Sequence, residues 1–104
     1  MNFILLTEKT KQAKKAILES NCIDLNNSQI LSILNQLEFI IKYSEQSLDP
    51  KSKLKSGETF TYSIIASREF TSPNQLAVKE YLDQVSREIF SEDYKIIEEY
   101  RRNN

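Results

Sequence analysis

The chain has 104 residues and a mass of 12.2 kDa, with 39% apolar and 28% charged residues, enough for one domain with its own core and no metal or disulfide staple. Fourteen basic residues against fifteen acidic ones leave a net charge of −1, which argues against a polyanion-binding protein. With no histidine, one cysteine and one glycine, the chain lacks the usual general base near neutral pH, the commonest metal ligand, an internal disulfide and the glycine-rich loops that cradle phosphates.

The start, "MNFILLTEKTKQ", places only four apolar residues in succession, Phe3 to Leu6, before charges take over. That run is too short for a signal peptide's apolar region and far short of a membrane span. Together with a lone Cys22, which suits a reducing compartment, it points to the cytoplasm. Phe3, Leu6, Thr10, Ala13 and Ile17, with Ala16 alongside, recur at spacings of three and four and predict an amphipathic helix over about 3–20. Lys9, Lys11, Lys14 and Lys15 occupy its other face. They read either as a solvated face or as a loose contact with the anionic inner membrane surface.

"NCIDLNNSQ" breaks the pattern, and Cys22 within it reads as a small apolar residue to be buried. Asn27 or Ser28 can cap a second helix by accepting a hydrogen bond from its first free N–H groups. Ile30, Ile33, Leu34, Leu37, Ile40 and Ile41 then form a stripe, widened by Leu31, Phe39 and Tyr43, over about 28–47. Asp49-Pro50 ends it, because the residue before a proline is pushed out of the α region.

The stretch "SLDPKSKLKSGETFTYS", residues 47–63, allows two readings. Thr59 to Ile65 has the alternation and β-branched content of a strand, but its only partner would be "NFILL", and an isolated two-stranded ribbon is marginal. Phe60, Ile64 and Ala66 or Ser67 also share one helical face, with Tyr62, Ile65 and Phe70 beside it. A short third helix over about 58–70 is therefore expected, with Lys51, Lys53 and Lys55 in the connection or a frayed first turn.

"TSPNQLAVKEYLDQVSREI" opens with Thr71 or Ser72 as cap and Pro73 at the first helical position, where its missing N–H costs nothing. Val78, Tyr81, Leu82, Val85 and Ile89 make the face expected to be buried. "FSEDYKIIEEYRRNN" either continues this helix, to about residue 101, or restarts it from Ser91. In that segment Ile97 is expected to pack back on the bundle. Tyr94, Ile96, Tyr100, Arg101 and Arg102 are candidates for contact with a partner, since aromatic and arginine side chains are favoured anchors at interfaces. Four helices joined by short links give the expected fold class, all-α, an antiparallel up-down four-helix bundle in one domain over 1–104.

An enzyme is disfavoured. The acidic pairs Glu92/Asp93 and Glu98/Glu99 are adjacent residues, which point about 100° apart on a helix and do not converge on one substrate. A di-metal carboxylate bundle needs Glu-x-x-His pairs. No catalytic, cofactor-binding or metal-binding residue is assigned, and no nucleic-acid partner: Lys11, Lys14 and Lys15 come with no recognition helix or aromatic platform.

"NNSQILSILNQLEFIIKYSEQSLDP" resembles the second helix and terminating turn of the pediocin-like (class II) bacteriocin immunity proteins, of the enterocin A type. There a "S-x-I-L-x-x-L" helix runs without gaps into a Leu-Asp-Pro-like turn. "TFTYSIIASREFTSPNQLAVKEYL" is similar to that family's third helix and the Phe-Thr step that opens its fourth, matched here by Phe70-Thr71. The likeness spans about residues 11–90. It implies a cytoplasmic, non-enzymatic four-helix bundle that protects a producer cell from its own bacteriocin. The implied partner is the mannose phosphotransferase permease with bacteriocin bound to it, and specificity is implied for the C-terminal half, here about 58–104. The alternative is a phage- or plasmid-encoded helical regulator or inhibitor that binds a host protein.

Overall fold

The computed structural model describes residues 1–92. Four α-helices follow one another, α1 Phe3–Glu19, α2 Ser28–Ser44, α3 Tyr62–Glu69 and α4 Pro73–Ile89, with a 3-10 turn at Pro50–Lys53 between α2 and α3. They pack as the expected antiparallel up-down bundle. Helix α1 lies against α2 and α4, and α3 closes the ring by packing on both α2 and α4. Among the described residues there is no β-strand, so residues 59–61 are an irregular lead-in to α3 and the strand reading of 59–65 fails.

Side-chain bonds fix the direction of each neighbour. Thr7 near the start of α1 bonds Ser44 at the end of α2, Oγ to Oγ at 2.7 Å. Gln75 in the first turn of α4 donates from Nε2 to the Cys22 carbonyl just past α1, at 2.8 Å. Tyr62 at the start of α3 shares a buried hydroxyl bond of 2.8 Å with Ser86, near the end of α4. Each pair therefore runs antiparallel.

The core follows the predicted stripes: Leu6, Ala13 and Ile17 from α1, Ile30, Ile33, Leu37 and Ile40 from α2, Tyr62 and Ala66 from α3, and Val78, Leu82, Val85 and Ile89 from α4. Thr10 also sits in the interior, with its hydroxyl donating to the Leu6 carbonyl at 2.6 Å. That back-bond within the helix lets a polar residue occupy a buried position without an unpaired group.

Several boundaries and faces differ from expectation. Helix α2 stops at Ser44, not 47, and the cause is not Pro50. Ser47 adopts a left-handed φ of 57°, while the Leu48 N–H returns to the Tyr43 carbonyl and the Ser47 N–H to the Ser44 carbonyl, both at 3.0 Å. This is a Schellman termination with serine where glycine is usual. Asp49 instead caps the 3-10 turn, accepting from the Lys51 N–H at 2.9 Å. Helix α3 begins at Tyr62, not 58, and buries Tyr62 and Ala66, whereas Ile64 is 53% exposed. Tyr81, expected on the buried face of α4, is exposed. Phe90 leaves helical geometry and ends α4 at Ile89, with residues 91–92 helical again; the expected extension to 101 lies outside the described residues.

At eight residues α3 is about 12 Å long, half the reach of its 17-residue neighbours. The gap left between α2 and α4 is taken by the connection from 45 to 61. Pro50 is buried there, and the Lys51 ammonium lies 5.6 Å from the centre of the Phe90 ring at the end of α4. Gly57, at φ +83°, supplies the left-handed step by which this connection turns toward α3.

Candidate interaction surface

The α1 lysines do not form one free patch. Lys9 reaches across to α4, 4.0 Å from Glu88. Lys11 and Lys14 turn the other way and pair with Glu45, at 2.9 Å, and Glu38 on α2. Lys15 has no carboxylate partner among the described residues. The helix face is thus split between two seams of the bundle, and three of its four positive charges are neutralised locally.

Tyr94, Ile96, Tyr100, Arg101 and Arg102, the expected partner contacts, lie outside the described residues, as does Ile97. Within the described part of the C-terminal half, the large apolar side chains presented to solvent are Ile64 on α3 and Leu76 and Tyr81 on α4. The apolar faces read from the sequence include both Ile64 and Tyr81, and only Leu76 has no separate signal there. Tyr81 flanks the buried stripe of α4, whereas Ile64 and Leu76 lie on the sides of their helices turned away from the buried positions.

Two glutamines not singled out by sequence hold the α3 side of the molecule in place. Thr61, at the N-terminus of α3, makes no side-chain cap. Gln36 on α2 supplies one from outside: its Oε1 accepts from the Thr61 and Tyr62 N–H groups at 2.8 and 2.9 Å, and its Nε2 donates to the Thr61 hydroxyl at 2.9 Å. Gln75 completes a capping box with Ser72, accepting from the Ser72 N–H at 3.1 Å while Ser72 Oγ accepts from the Gln75 N–H at 3.3 Å. Its bond to Cys22 then ties α4 to the α1–α2 link. Cys22 is half-buried, its sulfur 2.9 Å from the Ser20 hydroxyl.

A shallow groove of about 500 Å³ runs between α2 and the lead-in to α3, lined by Leu31, Phe39 and Phe60 with Asn35, Gln36 and Glu58 at its edges. A second, of about 390 Å³, lies over the α1–α2 seam beneath the Lys11 and Lys14 pairs, floored by Leu18 and Ile41. Both are open surface features. Among the described residues no three or more cysteine, aspartate or glutamate side chains are grouped to hold a metal ion, and no helix is long and apolar enough to cross a membrane.

A different set of cations stands out at the end of α2. The Lys42 and Lys53 ammoniums lie 5.2 and 6.0 Å from the centre of the same ring, Tyr43. Phe39 meets that ring edge-on at 4.8 Å, and Phe60 extends the aromatic row at 5.9 Å from Phe39.

Comparison of the chain with models of protein families, with curated proteins and with solved structures finds no match.

Proposed function

We propose that the protein is a non-enzymatic bacteriocin self-immunity protein. It acts from the cytoplasm on a membrane receptor, the mannose phosphotransferase permease, once a pediocin-like bacteriocin has engaged it. The observation that supports this reading is the behaviour of the two segments that carry the resemblance. "NNSQILSILNQLEFIIKYSEQSLDP" forms one unbroken helix followed by a turn that buries Pro50. The Phe70-Thr71-Ser72 step leaves α3 and opens α4 through a full capping box.

In this reading recognition belongs to the half from 58 onward. Ile64, Leu76 and Tyr81 join Tyr94, Ile96, Tyr100, Arg101 and Arg102 as its candidate contacts. The test is expression of the gene in a bacteriocin-sensitive strain, challenged with a panel of pediocin-like peptides. Survival against one or a few peptides, with the receptor still present in the membrane, is the expected result. Full sensitivity to every peptide, in cells that accumulate the folded protein, would overturn the proposal.

A further inference from the structure

The antiparallel packing gathers at one end of the bundle the start of α1, the end of α2, the 3-10 turn and the end of α4. Thr7 bonds Ser44 there, the Asn2 N–H donates to Glu88 at 2.7 Å, and Lys51 lies over Phe90. This end combines two features that a water-soluble tip does not need. Ile4 is 76% exposed, the most exposed of the large apolar side chains among the described residues, and Leu5 and Leu48, at the same end, are each 37% exposed. The same end carries Lys42, Lys53 and Lys55, which are exposed and have no carboxylate partner among the described residues.

Three of the acids at this end, Glu45, Asp49 and Glu88, stand within 4.0 Å of a lysine ammonium. Glu45 is paired with Lys11. Asp49 caps the Lys51 N–H and stands 3.9 Å from its ammonium. Glu58 accepts from the Lys55 N–H at 2.7 Å, and Glu88 holds the Asn2 N–H and Lys9. Glu8, one turn along α1 from Ile4, and Glu92 remain exposed. Lys42 and Lys53 place their ammoniums 5.2 and 6.0 Å from the centre of the Tyr43 ring, so this aromatic side chain carries two cations that no carboxylate pairs among the described residues.

The geometry points to an anionic phospholipid surface as the occupant of this end. Ile4 and Leu48 enter the acyl boundary, Tyr43 sits at headgroup depth as aromatic side chains do at membrane interfaces, and Lys42, Lys53 and Lys55 extend to the lipid phosphates. Apolar insertion and lysine attraction act together, as they do in peripheral membrane anchors. The inference stands apart from the immunity reading, since it concerns lipid alone and needs neither bacteriocin nor receptor. It moves the membrane contact from the α1 lysines, three of which are paired, to the turn end of the molecule.

The experiment is flotation of the full-length chain with vesicles of phosphatidylcholine alone or mixed with phosphatidylglycerol. The wild type is expected to bind the mixed vesicles at low salt and to be released as salt rises. Replacing the three lysines together, Lys42→Gln, Lys53→Gln and Lys55→Gln, should lower partitioning about a hundredfold, at roughly fivefold for each lysine near the surface. Ile4→Ser should lower it about tenfold. Removing both α1–α2 ion pairs at once, with Lys11→Gln, Glu45→Gln, Lys14→Gln and Glu38→Gln, should change it less than about twofold, because those charges already cancel. Circular dichroism checks that each variant keeps its helix. No preference of the wild type for the phosphatidylglycerol vesicles would overturn the inference. So would a larger loss from the paired-charge variant than from the Lys42, Lys53 and Lys55 variant.

Discussion

Gln36 is the residue whose role is least visible from its own neighbourhood in the sequence. It lies eight positions into α2, on the edge of the apolar stripe, and reads there as an ordinary surface glutamine. Its amide nonetheless does for α3 what a serine or aspartate at the N-cap does for other helices, satisfying two backbone N–H groups that would otherwise have no partner within the helix. Truncation by Gln36→Ala removes three bonds to Thr61 and Tyr62. It is expected to cost about 1–2 kcal/mol in denaturant unfolding, more than a surface glutamine would. An Asp at position 61 should recover part of that loss by capping locally, and a Gln36→Ala protein as stable as wild type would show the brace to be idle. Ser47 offers the opposite kind of change. Its φ of 57° is a conformation that a Cβ resists. Ser47→Gly should therefore raise stability by about 0.5–1 kcal/mol, the relief of strain exceeding the added freedom of the unfolded chain.

At the scale of the element, the four helices differ in how much of each the sequence determines. The long ones were legible because their stripes recur over several turns and their starts carry chemistry: Asn27 caps α2, and Ser72-Pro73 opens α4. Their ends were less so. Helix α2 is stopped by a backbone conformation at Ser47 that serine does not advertise. Helix α3 was legible as a helix but not in its extent or face. In eight residues there are barely two turns from which to read a period. Its lead-in is fixed by Gln36, twenty-five positions away from Thr61, so no local pattern could place the boundary. The same reasoning separates two leucines that look alike in sequence. Leu82 is 1% exposed in the centre of α4, whereas Leu34 is only half-buried against the core of α2. Leu82→Ala should cost roughly 2–5 kcal/mol through lost transfer energy and a residual cavity. Leu34→Ala should cost less, about 1–2 kcal/mol, because a side chain at the rim leaves water free to fill the space. Equal losses in paired urea titrations would contradict the difference in burial.

The whole molecule divides into a part that holds the fold and surfaces that remain for partners. Each of the four helices meets two neighbours, and the apolar residues from Leu6 to Ile89 close into one cluster. The surfaces were the less legible part. The paired state of Lys11 and Lys14 depends on Glu45 and Glu38 being brought across from α2. Charge along one helix does not reveal what a neighbouring helix supplies. The immunity reading places recognition from residue 58 onward and its aromatic and arginine contacts beyond Glu92. A chain ending at Glu92 keeps the described core and is therefore expected to keep its helical dichroism and cooperative unfolding, losing no more stability than the burial of Ile97 supplies, about 1.5–3 kcal/mol. It should also lose protection of sensitive cells. Transfer of residues 58–104 onto another bacteriocin immunity protein should carry the resistance spectrum with it, a gain of function that general destabilisation cannot produce. Retained protection by the shortened chain would move recognition to Ile64, Leu76 and Tyr81 on the described faces of α3 and α4. A chimera that keeps its host's spectrum would remove the C-terminal half from recognition altogether.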